Sequence, residues 1–441
     1  MSSTTSHETL PLDPSTLPGP ETIATRTLAN GLRLLAWENF VSPAVYVTAS
    51  FAVGSHDEPP AQKGVNNLVA ALLSRGTRDH DYDAINEMIE SRSASLAFSG
   101  GVLSTSLSIK SLAEDMPDLL RLASEMLRAP TFPEDQFARV KDRVLTALRE
   151  REHDPRSMAS LAFYKLAYPE THAYHWPSSG YLETVEPITR ADVEAFFETH
   201  YEPRDGIIVL SGAMPAQQAL DLLEDVFGDW ENRPHRQRAP LPDAHPLPEQ
   251  AVEHFTEVPG KAQSDFVLGV PALSANDPDY VPAQVANSIL GVFGLMGRLG
   301  ESVRDEKGLA YYAYSSLGRA KAPIKAPWMA VAGVAPENVQ LAVETTLAEI
   351  RRMADERVPE DELTDNKLYL IGALPLQLET NEGMAGAIKN MVYYDLGLDY
   401  LQRLPERIWR VEAEDVQRVV QTYLAHGRHV LSIAGPRSPA E

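Results

Sequence analysis

The chain has no cysteine. That absence removes disulfides, thiolate catalysis and cysteine-ligated zinc together. It has no apolar run of about 18 residues, the length a membrane-crossing helix needs. The N-terminus, Met1-Ser-Ser-Thr-Thr-Ser-His-Glu-Thr-Leu, carries neither a basic segment nor an apolar one, so no secretory signal is visible. Basic residues are few beside acidic ones, 39 against 62, for a formal net charge of −23. Nucleic acid and anionic membrane both require a basic surface, and neither is an expected partner. Ser-x-x-Lys, Gly-x-Ser-x-Gly and phosphate-loop patterns are absent. These absences lead to the expectation of a soluble, cytoplasmic protein.

What is present is a globular composition, 44% hydrophobic and 23% charged over 441 residues, long enough for two to four domains. Residues 1–21 are rich in Ser, Thr and Pro and read as a flexible leader. Residues 25–37 read as two strands around an Asn30-Gly31 turn, and Ala44 to Val53 as a third strand. A helix with Val65, Leu68, Val69, Leu72 and Leu73 on one face spans 63–76. Helices are expected at 80–92, 112–128, 134–152 and 156–167, with a strand or hairpin around Gly100-Gly101. Residues 232–248 carry five prolines without periodicity, the mark of a stiff, extended linker. Beyond it the pattern begins again, with a strand at 267–271, a helix from Pro282 to Glu301, strands at 309–316 and 328–334, and helices at about 336–354, 359–380, 382–395, 397–403 and 412–425.

The halves match. Thr189-Arg-Ala-Asp-Val followed by Ile207-Ile-Val-Leu-Ser-Gly212 lines up with Glu412-Ala-Glu-Asp-Val followed by Val430 to Gly435, since 415 − 192 = 435 − 212 = 223. Pro133-Glu-Asp and Pro359-Glu-Asp recur at 359 − 133 = 226. A period this long means duplicated domains. The expected architecture is α+β: two homologous lobes, each a mostly antiparallel sheet covered by helices. The divisions are a leader at 1–21, an N-terminal lobe at 22–231, a proline-rich linker at 232–250 and a C-terminal lobe at 251–441.

Gly297 to Tyr312 concentrates chemistry. Arg304 falls in the last turn of a helix that Gly308 closes, and Tyr311 opens the next strand. A guanidinium fork and a phenol brought to one place can grip a carbonyl or an oxyanion. The plainer reading is an arginine answering a helix dipole and a tyrosine packing in a sheet. The histidines at 153, 172, 175, 200, 426 and 429 show no i, i+4 pairing and read as surface or capping residues.

Leu28-Ala-Asn-Gly-Leu-Arg-Leu-Leu, Gly54-Ser-His-Asp-Glu-Pro-Pro, Gly64, and Leu73-Ser-Arg-Gly76-Thr77 together resemble the pitrilysin/insulysin and mitochondrial processing peptidase family of zinc peptidases. The resemblance runs from about 24 to 435. It implies that Arg304 and Tyr311 match the family's C-terminal-lobe pair, which binds the scissile carbonyl and its oxyanion. It also exposes an absence. The family's His-x-x-Glu-His belongs between Gly64 and Gly76, where the histidines hold zinc and the glutamate activates water. Asn67, Ala70 and Ala71 stand there, and Ala147 stands where a third ligand is due, with Glu150 and Glu152 nearby. No metal is therefore expected in this chain. The glycine-rich run Gly291 to Gly297 resembles the family's segment before the Arg/Tyr helix. The implied function is that of the non-zinc subunit of a heterodimeric metallopeptidase degrading unfolded peptides, with zinc in a homologous partner and Arg304 and Tyr311 acting in trans. The alternatives are a catalytically inactive structural or assembly subunit of the same fold, and a peptide-binding homodimer without chemistry.

Overall fold

β-Branched and apolar residues alternate through residues 24–51 and again through 264–334, and each series forms the body of a sheet. The computed structural model describes residues 11–234, 236, 238, 240–241, 249–292 and 297–437. The first lobe contains β1 (Ala24–Thr27), β2 (Arg33–Glu38), β3 (Ala44–Phe51), β4 (Ser95–Gly100), β5 (Thr105–Leu112) and β6 (Ile207–Gly212). They lie in the order β1-β2-β6-β3-β5-β4, antiparallel except for β2 beside β6. The second lobe contains β7 (Val252–Glu257), β8 (Ser264–Leu273), β9 (Ala310–Leu317), β10 (Ala326–Val334) and β11 (Val430–Gly435). Their order is β7-β11-β8-β10-β9, again with one parallel pair, β7 and β11. The fold is α+β, two lobes built on mostly antiparallel sheets.

The helices of the first half are α1 (Val65–Leu72), α2 (Tyr82–Glu90), α3 (Met116–Arg128), α4 (Glu134–Glu152), α5 (Pro155–Ala167), α6 (Leu182–Val185), α7 (Arg190–His200) and α8 (Ala216–Phe227). The second half has α9 (Tyr280–Gly291), a π-helical segment (Gly300–Glu306), α10 (Val339–Asp355), α11 (Glu360–Leu378), α12 (Asn381–Tyr393), α13 (Tyr400–Trp409) and α14 (Ala413–Tyr423). The duplication is visible element by element. The bounds of α4 and α11, and of α5 and α12, differ by 226 at both ends, as in 360 − 134 and 393 − 167.

The lobes exchange one helix each. α5, from the first half, packs on β8 and β11 of the second sheet, and α12 packs on β3 and β6 of the first. Ala159, Phe163 and Ala167 of α5 share a buried cluster with Val267, Val331 and Val430. On the reciprocal seam, the Asn381 side-chain amide donates to the Ala44 carbonyl at 2.8 Å and Lys389 Nζ donates to Thr48 Oγ1 at 3.2 Å.

Three expectations need correction. The helix expected from Pro282 to Glu301 is interrupted, because α9 stops at Gly291, whose φ of 132° is foreign to a right-handed helix. Gly297 also has positive φ, 107°, while residues 293–296 of the glycine-rich run lie outside the described residues. Residues 1–10 of the expected leader lie outside the described residues, and the remainder is anchored. Leu17 is 5% exposed, and the Gln402 amide of α13 donates to its carbonyl at 3.2 Å. Its scattered apolar residues Leu12 and Leu17 join the second lobe's core, a signal that the Ser/Thr/Pro composition obscured. Finally, β7 sits at the start of the second lobe, where no strand was expected. In the linker, residues 235, 237, 239 and 242–248 lie outside the described residues.

Candidate functional site

The segment carrying Arg304 is set by its flanks. Arg298, 7% exposed, grips Glu362 of α11 with two parallel bonds, Nε to Oε1 at 2.9 Å and Nη2 to Oε2 at 2.7 Å. Val303 is fully buried and fixes the helical face, leaving Arg304 part-exposed beside it. Gly308 closes the segment with φ of 61°. Its amide donates to the Arg304 carbonyl at 2.9 Å, and the Leu309 amide donates to that of Val303 at 3.0 Å. The chain then turns directly into β9, the edge strand of the second sheet.

Tyr311 owes its position to a break in register. Val334 of β10 faces Ala310 and Gly333 faces Tyr312, so Tyr311 is the extra residue of a β-bulge. A regular strand would alternate Tyr311 onto the face of Ala313, which is 3% exposed. The bulge frees it, and it stands 83% exposed. Among the described residues neither the Tyr311 phenol nor the Arg304 guanidinium makes a hydrogen bond. The near charge at Arg304 is Asp305, 4.0 Å from Nε and itself half exposed. The next two tyrosines are occupied. Tyr312 donates a short bond to Asp265, and the Tyr314 hydroxyl accepts from Arg156 Nη2 at 2.7 Å. Burial and the bond to Asp265 raise the Tyr312 phenol far above its ordinary range.

The matching region of the first lobe carries no such chemistry. α1 runs between Gly64, whose φ of 103° and closeness to Ser179 suit only glycine, and the turn at Gly76. Ala70 is 2% exposed, and Asn67 and Ala71 are half-buried. α4 packs beside α1, yet Ala147 on it faces solvent, as do Glu150 and Glu152. Methyl groups neither ligate a metal nor move a proton, so these residues do not fit a zinc ion. Among the described residues no group of three or more His, Asp or Glu side chains is placed to hold one. The histidines are elsewhere. His172 stacks on Tyr168 at 4.5 Å between ring centres, and the His175 Nδ1 is 2.7 Å from the Tyr168 carbonyl. Burial pulls His200, His426 and His429 below the ordinary imidazole range.

One residue of this region carries a role that the sequence did not announce. Glu58 is 4% exposed, and its carboxylate accepts from the Gly64 amide at 2.9 Å and the Asn66 amide at 2.7 Å, capping α1. Burial pushes its pKa up to about 7 despite those bonds. The signal was within Gly54-Ser-His-Asp-Glu58, but a cap reached from six residues upstream is a tertiary contact.

Comparison with known proteins identifies the family of the fold. Residues 34–174 match the family described as Insulinase (Peptidase family M16), and residues 187–370 match the Peptidase M16 inactive domain. A Helicobacter pylori protein named non-peptidase homolog YmxG is 22% identical over 394 residues, covering 88% of each chain. A second Helicobacter pylori protein, zinc protease PqqE, is 23% identical over 423 residues, covering 93% of this chain and 91% of that one. The crystal structure of a peptidase M16 inactive domain from Pseudomonas fluorescens superposes with a TM-score of 0.84 at 26% identity, covering 94% of this chain and 98% of that one. No described helix is long and apolar enough to cross a membrane. With two matches that together span most of its length, the chain belongs to the M16, insulinase-type peptidase family, and its sequence contains no His-x-x-Glu-His.

Proposed function

We propose that this chain is the non-zinc subunit of a heterodimeric metallopeptidase that degrades unfolded peptides in the cytoplasm. The observation that carries the reading is Tyr311, held out of its strand by a bulge and unpaired, with Arg304 just ahead of it on a segment that Arg298 and Gly308 fix. The chain's own first lobe offers these groups no metal or general base, so the zinc-bound water they serve belongs to a homologous partner. There Arg304 and Tyr311 stabilise the charge that develops on the scissile carbonyl oxygen. Peptide adds to an open sheet edge of that partner.

Cleavage of a quenched peptide tests this, with the chain alone and mixed with its host's His-x-x-Glu-His homologue. Activity is expected only in the mixture. Losing one oxyanion donor raises the barrier by about 2.7–4 kcal/mol, so Arg304→Ala and Tyr311→Phe should each slow the pair a hundredfold or more while the subunits stay associated. Unchanged rates in both variants overturn the role in trans. The second reading is a catalytically inactive assembly subunit, favoured by the names non-peptidase homolog and inactive domain borne by similar proteins. A stable complex that cleaves nothing selects it.

A further inference from the structure

A cavity of about 510 Å³ lies at the seam where α5 meets the second lobe, within the roughly 300–1,000 Å³ range of small-molecule sites. Its wall includes Arg151 from the end of α4, Ser157, Ser160 and Tyr164 from α5, Tyr174 from the following loop, and Arg319 from the turn after β9. Among the described residues no Asp or Glu lines it. In a chain of net charge −23, a part-buried hollow with two guanidiniums and no carboxylate is an exception that needs a reason.

Neither arginine is neutralised. Arg319 Nε donates to the Tyr280 hydroxyl at 3.2 Å, and no carboxylate among the described residues forms an ion pair with it. Arg151 donates to Ser179 Oγ and to the Gly180 carbonyl, each at 2.9 Å, and among the described residues its buried Nε has no partner. Glu152 and Glu183 act on it from beyond bonding distance. Arg151 lies over the Tyr181 ring at 5.3 Å and Arg319 over the Tyr280 ring at 5.6 Å, contacts that bring no anion to either charge, and a bound anion supplies one.

The duplication supplies an internal control. The second lobe builds the equivalent hollow, about 290 Å³, beneath the reciprocal helix α12. Gln377, Gly383, Gly386, Asn390 and Tyr400 line it at the positions of Arg151, Ser157, Ser160, Tyr164 and Tyr174, since 377 − 151 = 400 − 174 = 226. In that copy, glutamine, glycines and asparagine replace the arginine, serines and tyrosine. Arg319 stands in the wall between the two hollows and lines both. The fold therefore makes the hollow without Arg151, and the cation and hydroxyls are additions to one copy.

We infer that the cavity between α5 and the Arg319 turn binds the carboxylate of a small organic ligand, with Arg151 and Arg319 on the anion and Tyr164 and Tyr174 against its apolar body. The carboxylate has two sources, a free organic acid or the C-terminal residue of a peptide. The inference does not depend on Arg304 or Tyr311, and it survives if the role in trans fails.

Calorimetry on the full chain tests it with N-acetylphenylalanine, its amide, and Ala-Ala-Ala-Phe with a free or an amidated C-terminus. The free acid should bind saturably and its amide at least about tenfold more weakly, as loss of a charge-assisted bond predicts. Binding of the free-ended tetrapeptide assigns the site to peptide termini, and binding of N-acetylphenylalanine alone assigns it to small acids. Arg319→Met should weaken the acid about tenfold or more. Ser160→Leu, which fills the hollow and keeps both arginines, should do the same and guards against a misfolded Arg319 variant. Equal affinity for acid and amide overturns the inference, as does acid binding unchanged in both variants or absent at millimolar concentrations.

Discussion

Glu58 sits in an environment far from what a carboxylate prefers. It is nearly fully buried, next to Lys63 and Asp57, and held by two backbone amides at the start of α1. Its pKa rises from 4.5 to about 7, so the folded chain holds the proton more tightly than the unfolded one does. The stability this contributes is complete below about pH 4.5 and is lost as pH rises through about 7, a change of about 3 kcal/mol. Glu58→Gln cannot titrate. The stability of the native chain minus that of the variant, from urea unfolding, should therefore be larger near pH 5 than near pH 8 by about that amount. A pH-independent difference would mean that the carboxylate titrates normally. At this scale the sequence was readable where signals are local. Gly308 closing a helix placed Arg304 and Tyr311 within seven residues of each other. Glu58, Arg151 and Arg319 were not readable, because their neighbours come from 6 to 168 positions away, as 319 − 151 = 168.

Among the elements, α5 and α12 carry the most consequence. Each was legible as a helix, at 156–167 and 382–395, and neither sequence position indicates that it crosses to the other lobe's sheet. Both faces of each sheet must be covered, and a duplicated pair can satisfy that by exchange as well as by self-coverage. Phe163 is fully buried in the crossing, among Ala159, Val267 and Val331. Phe163→Ala should lower stability by about 3–5 kcal/mol. Because the lost packing lies between lobes, limited proteolysis should cut more rapidly within residues 232–250, with each sheet's own core intact. Resistance equal to that of the native chain would show that the reciprocal α12 contacts suffice alone. The interruption after Gly291 also belongs here. Apolar periodicity across 282–301 concealed it, because the glycines that allow positive φ leave the surrounding hydrophobic spacing undisturbed.

For the whole molecule, the relevant fact is that two halves of one ancestral plan have kept different chemistry. The first lobe carries Asn67, Ala70, Ala71 and Ala147 where the resemblance implies metal ligands, and the second carries a part-exposed Arg304 and an exposed Tyr311. The melting temperature of this chain should thus be unmoved by EDTA or by added zinc, whereas cleavage by the mixture with a His-x-x-Glu-His partner should vanish on chelation and return with zinc. A zinc-dependent rise in the melting temperature of the isolated chain would contradict the reading of Asn67, Ala70, Ala71 and Ala147.

The sequence by itself determined the duplication, the two-lobed α+β class, the family likeness and the absence of a His-x-x-Glu-His motif. These follow from residue type and spacing, which are properties of the linear chain. Only the tertiary structure decided the helix exchange, the bulge that turns Tyr311 outward, the anchoring of the leader and the cationic hollow at the seam. Each depends on which surfaces meet across the two lobes, and burial and unpaired charge have no counterpart in sequence order.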